Sequence, residues 1–439
     1  MGCEGAAVNE LSPLPQAAFD REAAAYLLRR LQFGVRPDEI DRALAEGLPA
    51  TTDRLLSVQP ETDAFVRAEA ALRQTAHAAS SIAGLKAWWL YRMLHSANPL
   101  REKLTLMWHN HFATSHAKVN NVSQMAVQND LFREHAWGDF HHLLHGVARD
   151  PAMLVWLDGN ANRRRHPNEN FAREVMELFA LGLGNYTERD IQEAARAFTG
   201  WQLRDGAFWF NASQHDAAPK TIFGRTGRFE GNHVIDLCLE HPACPRFLAF
   251  KLLRQFVSDQ PSTPLIDLVA ASLARHKLHI RPVLFELVTS AAFFADEHRQ
   301  ALIKSPVDLV VGTLRTSATR VVLPAAAELL ARLGQDLFEP PTVKGWDGGR
   351  QWIQTSTWIL RWNFVTELVD GTGLGALREE LWTDGRPQPD TWLLTYLGRA
   401  APEVRAAVAA HWHAADELPA GRARRTLRFL WSLPEYQLA

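Results

Sequence analysis

Apolar residues recur along this chain at the three- and four-residue spacing of amphipathic helices. Between Asp20 and Phe33 they fall at Ala24, Leu27, Leu28 and Leu31. Gly34-Val35-Arg36 breaks the pattern, and Pro37 then takes the first turn of a second helix, where its missing N–H costs nothing. The same periodicity predicts helices over about 62–95, 100–112, 122–136, 139–149, 168–183 and 187–199. It resumes over about 232–239, 245–258, 264–276, 281–294, 304–315, 324–333 and 356–369, and a helical trio ends at Leu433-Pro434. Between Trp201 and Arg228 the period changes: Phe208 and Phe210 alternate, and Gly224-Arg225-Thr226-Gly227 supplies a turn. A small β-hairpin or ordered loop is expected there. The predicted fold is mainly α: a large multi-helix array around one extended core, with a small β insertion at 201–228. Residues 1–370 are assigned to the main helical domain. Residues 371–389, where Gly, Asp and Pro accumulate, are assigned to a linker, and 390–439 to a C-terminal helical segment packed on the main domain. No internal repeat is visible.

Composition narrows the class. At 439 residues, one large domain or two intimately packed ones are expected. Hydrophobic content of 47% with 22% charged residues fits a soluble globular protein. Basic and acidic residues nearly cancel, 47 against 49, so no electrostatic footprint for nucleic acid or an anionic membrane is present. Cys3, Cys238 and Cys244 match neither a disulfide framework nor a zinc pattern, and the latter two read as small buried residues. No run of about 18 apolar residues occurs, so no membrane span is predicted. The opening residues lack the basic and apolar segments of a secretory signal, which makes a cytoplasmic location the expectation, or export if the N-terminus is truncated.

Two adjacent helices carry the candidate chemistry. On the first, Asn170, Arg173, Glu174 and Glu177 share one arc of about 100°, opposite Phe171, Val175, Leu178 and Phe179. On the second, Arg189, Glu193 and Arg196 lie opposite Ile191, Ala194, Ala195 and Phe198, after a capping-box signal at Thr187-x-x-Asp190. These stripes either line a sheltered polar network or form solvated faces with an Arg173–Glu177 pair at i,i+4 spacing. His109 and His111, two apart on a helix, point about 200° from each other and cannot share an ion, so one of them is expected to line a cavity. No His/Asp/Glu triplet has ligand spacing; no cofactor is assigned, and a divalent metal is the lesser alternative. His215-Asp216 with Lys220 lies in the irregular segment, where loops present reactive groups. Ser115, Ser213 and Ser305 lack a nucleophile-elbow context, and no phosphate-binding glycine loop appears. Trp346, Trp352, Trp358 and Trp362 cluster in and after the Gly/Pro-rich loop 334–352, beside Lys344, Asp347 and Arg350. Aromatic faces ringed by polar groups suit sugar stacking, and Trp also fills space between helices.

Several segments together resemble a known family. They are Trp-His-Asn-His-Phe at 108–112, the Asn-Glu-Asn…Arg-Glu…Glu-Leu-Phe helix at 168–179, Tyr186-Thr187-Glu188, and Ala197 to Trp201. His215-Asp216 with Lys220, His241-Pro242 with Lys251, Lys304-Ser305-Pro306, Pro340 to Trp346 and Leu433 to Gln437 continue the series. In this order they resemble the bacterial family called domain of unknown function 1800. The resemblance implies a mostly helical protein, often encoded beside an alkaline-phosphatase/sulfatase-like partner, with many members exported. It favours His111 over His109 and brings no chemistry with it.

The residues point to an enzyme, hydrolase- or lyase-like, acting on a polar substrate or polymer such as a glycan. Glu174, Glu177, His111 and His215 are the candidates for proton transfer. Asn170, Arg173, Glu193, Arg196, Trp201, Lys220 and Trp346 are the candidates for substrate binding. The alternative is a non-catalytic helical scaffold or binding protein whose polar stripes are structural ion-pair networks.

Overall fold

A computed structural model describes residues 11–383, 389–414 and 418–439, so the opening residues with Cys3 lie outside the described part. The chain is mainly α, as its periodicity requires. Many helices begin at a polar cap: Asp20 accepts from Ala23 N at 2.9 Å, Asp150 from Met153 N at 2.9 Å, and Thr187 from Asp190 N at 3.2 Å. The Thr187 box closes reciprocally, because Asp190 accepts from Thr187 N at 2.9 Å. None of the described helices is long and apolar enough to cross a membrane.

Among the described residues, strands are confined to three antiparallel pairs. β1 (Trp201–Arg204) and β2 (Ala207–Phe210) are joined by Asp205-Gly206, both at positive φ. β3 (Lys220–Ile222) and β4 (Arg225–Gly227) are joined by Phe223-Gly224, again both at positive φ. Two-residue turns of this hand match the twist of the flanking strands, so the expected β insertion is a pair of tight hairpins. The third pair, β5 (Ala318–Val321) with β6 (Gly375–Leu377), falls outside that insertion. Part of the predicted linker is therefore a strand, and Leu374 and Leu377 are buried. Gly and Asp density marks the turn before β6, but a three-residue strand is too short to register as a period. Residues 384–388 of that linker lie outside the described part.

Buried side chains form two cores. One gathers apolar residues from the segments 23–56, 100–181 and 191–294. The other gathers residues from 76–94 and 307–397 with the C-terminal helices, including Val408, Leu427, Leu430 and Trp431. The Pro99–His111 helix runs between them, sending Leu104 and Trp108 into the first and Leu106 into the second. It is buried along nearly its whole length, polar side chains included. Glu102 is fully buried there, bonded to Arg133 at 2.8 Å, Arg92 at 3.0 Å and Trp89 Nε1 at 3.1 Å. Burial raises its carboxyl pKa, yet Arg133 and Arg92 outweigh that and hold it at about 2. Cys238 and Cys244 are buried free thiols.

Candidate functional site

The helix expected over 168–183 changes its winding. Glu169–Glu174 is α, whereas Val175–Ala180 is a π turn, and Leu181 N reaches back five residues to Met176 O at 2.9 Å. Such turns are rare and concentrate at functional sites. The Phe179 carbonyl, free in the last turn of this helix, accepts from His111 Nε2 at 3.0 Å. The π turn parts Arg173 from Glu177, two residues that a regular helix would pair. Arg173 bonds Glu188 at 2.7 Å and Glu169 at 3.2 Å instead. Glu177 turns into a cleft, where its carboxylate accepts from the Tyr186 hydroxyl at 2.6 Å.

That cleft has a volume of about 370 Å³ and opens where the central helix ends. Asn110 and His111 form one wall. The Ala243–Phe256 helix forms another, presenting Phe247, Lys251, Arg254 and Gln255 at three- and four-residue spacing. The 340–352 loop closes the third side with Lys344, Trp346, Asp347 and Trp352. Asn110 anchors that loop: its Oδ1 accepts from Trp346 N at 2.7 Å and its Nδ2 donates to Trp346 O at 3.4 Å. Gly345 makes the close approach possible. Its φ is +81°, and a Cβ there would overlap the Asn110 amide and carbonyl.

The electrostatics of the walls are unusual. Because Nε2 of His111 donates to a carbonyl, its Nδ1 carries the lone pair, and that buried atom has no partner among the described residues. Burial and the neighbouring Lys251 hold the imidazole neutral, its pKa lying well below the ordinary value. Burial, with Arg254 adding like charge, lowers the Lys251 amine to about 8. Arg30 Nε and Nη1 are likewise buried without acceptors, while its Nη2 reaches the His298 carbonyl. Burial also raises the Asp259 carboxyl, opposed by Arg254 and Arg30. Glu174, next to the cleft-lining Glu177 and Lys344, is raised by burial and by Glu177, with Arg173 and Lys344 opposing.

The predicted site residues divide between two places. His111, Glu177 and Trp346 line the cleft, and Glu174 lies beside it. His109, pointing the other way as its spacing requires, packs on Trp89, Phe338 and Trp346. The remainder build a separate layer over the β hairpins. Arg196 bonds Glu193 at 3.0 Å and Asp216 at 2.7 Å, and Lys220 donates to the Ala218 carbonyl at 3.1 Å. His215 Nδ1 reaches the Thr199 carbonyl at 2.9 Å, and its ring meets Phe210. Trp201 packs between Phe198 and Phe208, and Asn170 bonds the Leu157 carbonyl at 3.3 Å. His215, Lys220, Glu193, Arg196 and Trp201 do not line the cleft. The charged groups of Glu193, Arg196 and Lys220 are bonded inside the layer. Sequence reasoning named Lys251 only among the segments of the resemblance and did not single out Arg254, Arg30 or Asp259. The available signal was a lysine set between Phe250 and Leu252-Leu253 on a strongly apolar helix.

A larger cleft, about 500 Å³, lies between Arg36, Glu61, His95 and Arg315. Its carboxylates are already engaged: Glu39 pairs with Arg315, and Glu61 accepts from Ser96 Oγ at 2.5 Å and Asn98 Nδ2 at 2.9 Å. The smaller cleft gathers His111 Nδ1 and two Arg30 nitrogens that lack hydrogen-bond partners among the described residues, and we place the candidate site there. Among the described residues no group of three His, Cys, Asp or Glu side chains is set to hold a metal ion. No curated protein and no solved structure matches the chain. The family described as protein of unknown function (DUF1800) matches over residues 26–438, nearly the whole length, and the chain belongs to that family.

Proposed function

We propose that the chain is an enzyme of hydrolase or lyase type, acting by proton transfer on a small polar substrate, such as a sugar unit, in the cleft beside His111. One observation carries this reading: the His111 Nδ1 atom and two Arg30 nitrogens are buried without partners among the described residues, and they line the same cleft as Lys251, which has no acceptor there either. Each such group costs about 1–3 kcal/mol when left unmade, a cost that recurs where a ligand supplies the missing bond. A volume of about 370 Å³ lies within the range of small-molecule sites.

Roles follow from protonation. His111 is neutral with its one N–H committed, so it acts as an acceptor. Glu177, oriented by Tyr186, is the carboxylate facing the substrate, and Glu174 behind it retains a proton more readily because of burial. Lys344 and Arg254 balance negative charge, while Trp346 and Trp352 offer apolar faces.

The test is a screen of sugars, uronates, sugar phosphates and esters against the full chain and two variants. E177Q should keep its melting temperature and lose turnover by about 100-fold. D216N, in the paired layer, should lose stability and keep turnover per folded molecule. Unchanged turnover in E177Q overturns the assignment. A second reading, a non-catalytic binding protein, draws on the paired Arg173 and Arg196 networks. It predicts ligands that raise the melting temperature with no turnover of any of them.

A further inference from the structure

Among the lysines withdrawn from solvent, Lys251 stands apart. Lys103 reaches Asp308 at 3.0 Å, Lys86 reaches Asp336 at 2.6 Å, Lys220 reaches the Ala218 carbonyl at 3.1 Å, and Lys304 reaches the Tyr436 carbonyl at 2.7 Å. Lys251 has no acceptor among the described residues. Its Nζ lies 5.2 Å from the centre of the Phe247 ring, and the His111 ring lies 6.0 Å from that same centre. Phe247 thus brings the amine and the imidazole to one part of the cleft, which Glu177 also lines. Arg254, one turn further along the same helix, supplies like charge rather than a counter-ion.

We propose that Lys251 is a covalent nucleophile that condenses with the carbonyl carbon of a small aldehyde or ketone bearing an anionic group. This rests on the reading of the cleft as an active site. In the first step the Nζ lone pair forms the C–N bond, and one amine proton passes to the carbonyl oxygen, giving a carbinolamine. In the second step an acid, for which the Glu174–Glu177 pair is placed, protonates that hydroxyl. It leaves as water, and the nitrogen lone pair forms the C=N bond of a protonated imine. Nothing is oxidised or reduced. Arg254 and Lys344 meet the anionic group, and the neutral His111 Nδ1 accepts the amine proton in transit. An amine of pKa about 8 supports the step. At pH 7 about one such amine in ten is neutral, against fewer than about one in a thousand for an exposed lysine.

The experiment treats the full chain with glyoxylate, or separately with the neutral probe glycolaldehyde, in the presence of cyanoborohydride at pH 7. Peptide mapping then locates the reduced adduct. Lys251 should be modified at least about tenfold faster than the exposed Lys277, with glyoxylate ahead of glycolaldehyde. The rate should rise with pH and level off above about pH 8. Labelling of Lys251 no faster than Lys277 overturns the nucleophile; equal rates with the two probes overturn the anionic group. The two readings fail separately. If Lys251 is not labelled while E177Q still abolishes turnover, the imine falls and the active site stands. If E177Q is silent, the active site itself falls. K251R, which keeps the charge and cannot form this imine at neutral pH, should lose the adduct while remaining folded.

Discussion

Partial burial of a lysine amine with no acceptor disfavours its charged form, and that shift has a measurable sign. Lys251 titrates at about 8 in the folded chain and at its ordinary value of 10.5 when unfolded. Between these values the unfolded chain binds more protons, so stability rises with pH across that window, and the full penalty applies below it. K251M should therefore stabilise the protein by about 2 kcal/mol at pH 7, a gain that shrinks towards pH 10.5. Urea titrations at the two pH values check this, and an equal loss at both would contradict it. Glu102 gives the opposite case. With its carboxyl at about 2 in the fold, the stability it confers is fully present above pH 4.5 and is lost as pH falls through 2. E102Q should cost about 3 kcal/mol at pH 7, because Arg92 and Arg133 lose their shared buried counter-ion. The gap between E102Q and the parent should close as pH drops from 4.5 towards 2.

Elements explain why some positions were readable and others were not. Helices announced themselves through apolar spacing and caps, and Thr187-x-x-Asp190 forms the reciprocal box its letters suggest. The two hairpins follow Asp205-Gly206 and Phe223-Gly224, with only the first a standard turn pair. The π turn at Val175–Ala180 left no mark in composition, because α and π winding share the same residue preferences. Glu177 lies within this turn and lines the cleft, while Arg173, in the α turn before it, bonds Glu188. The 340–352 loop was visible as a Gly/Pro-rich break, while its anchor on Asn110 was not, since the partners are more than 200 residues apart. G345A tests that anchor. A side chain at φ +81° against Asn110 costs more than about 1 kcal/mol locally. We expect the helical body to keep its melting transition while limited proteolysis cuts the loop faster and ligand affinity falls about tenfold. Unchanged cleavage would show that the contact does not hold the loop.

At the scale of the molecule, two cores packed on either side of the Pro99–His111 helix place a cleft at that helix's end, where three segments distant in sequence converge. Periodicity along a chain reports which face of a helix is buried. It does not report which helices share a wall, and so His215 and Lys220 looked as eligible as His111 and Glu177. Their separation is a tertiary fact: the hairpin layer satisfies its own charges, whereas the cleft retains groups that have no partner among the described residues. The central claim is that this cleft keeps a half-buried amine, without an acceptor among the described residues, beside a neutral imidazole. Its most direct test is an NMR pH titration of the full chain carrying ¹³C-methyl labels on its lysines, with the Lys251 signal assigned by its loss in K251R. The account predicts a midpoint near 8 for that resonance. A midpoint at the ordinary lysine value, alongside the exposed amines, would contradict it.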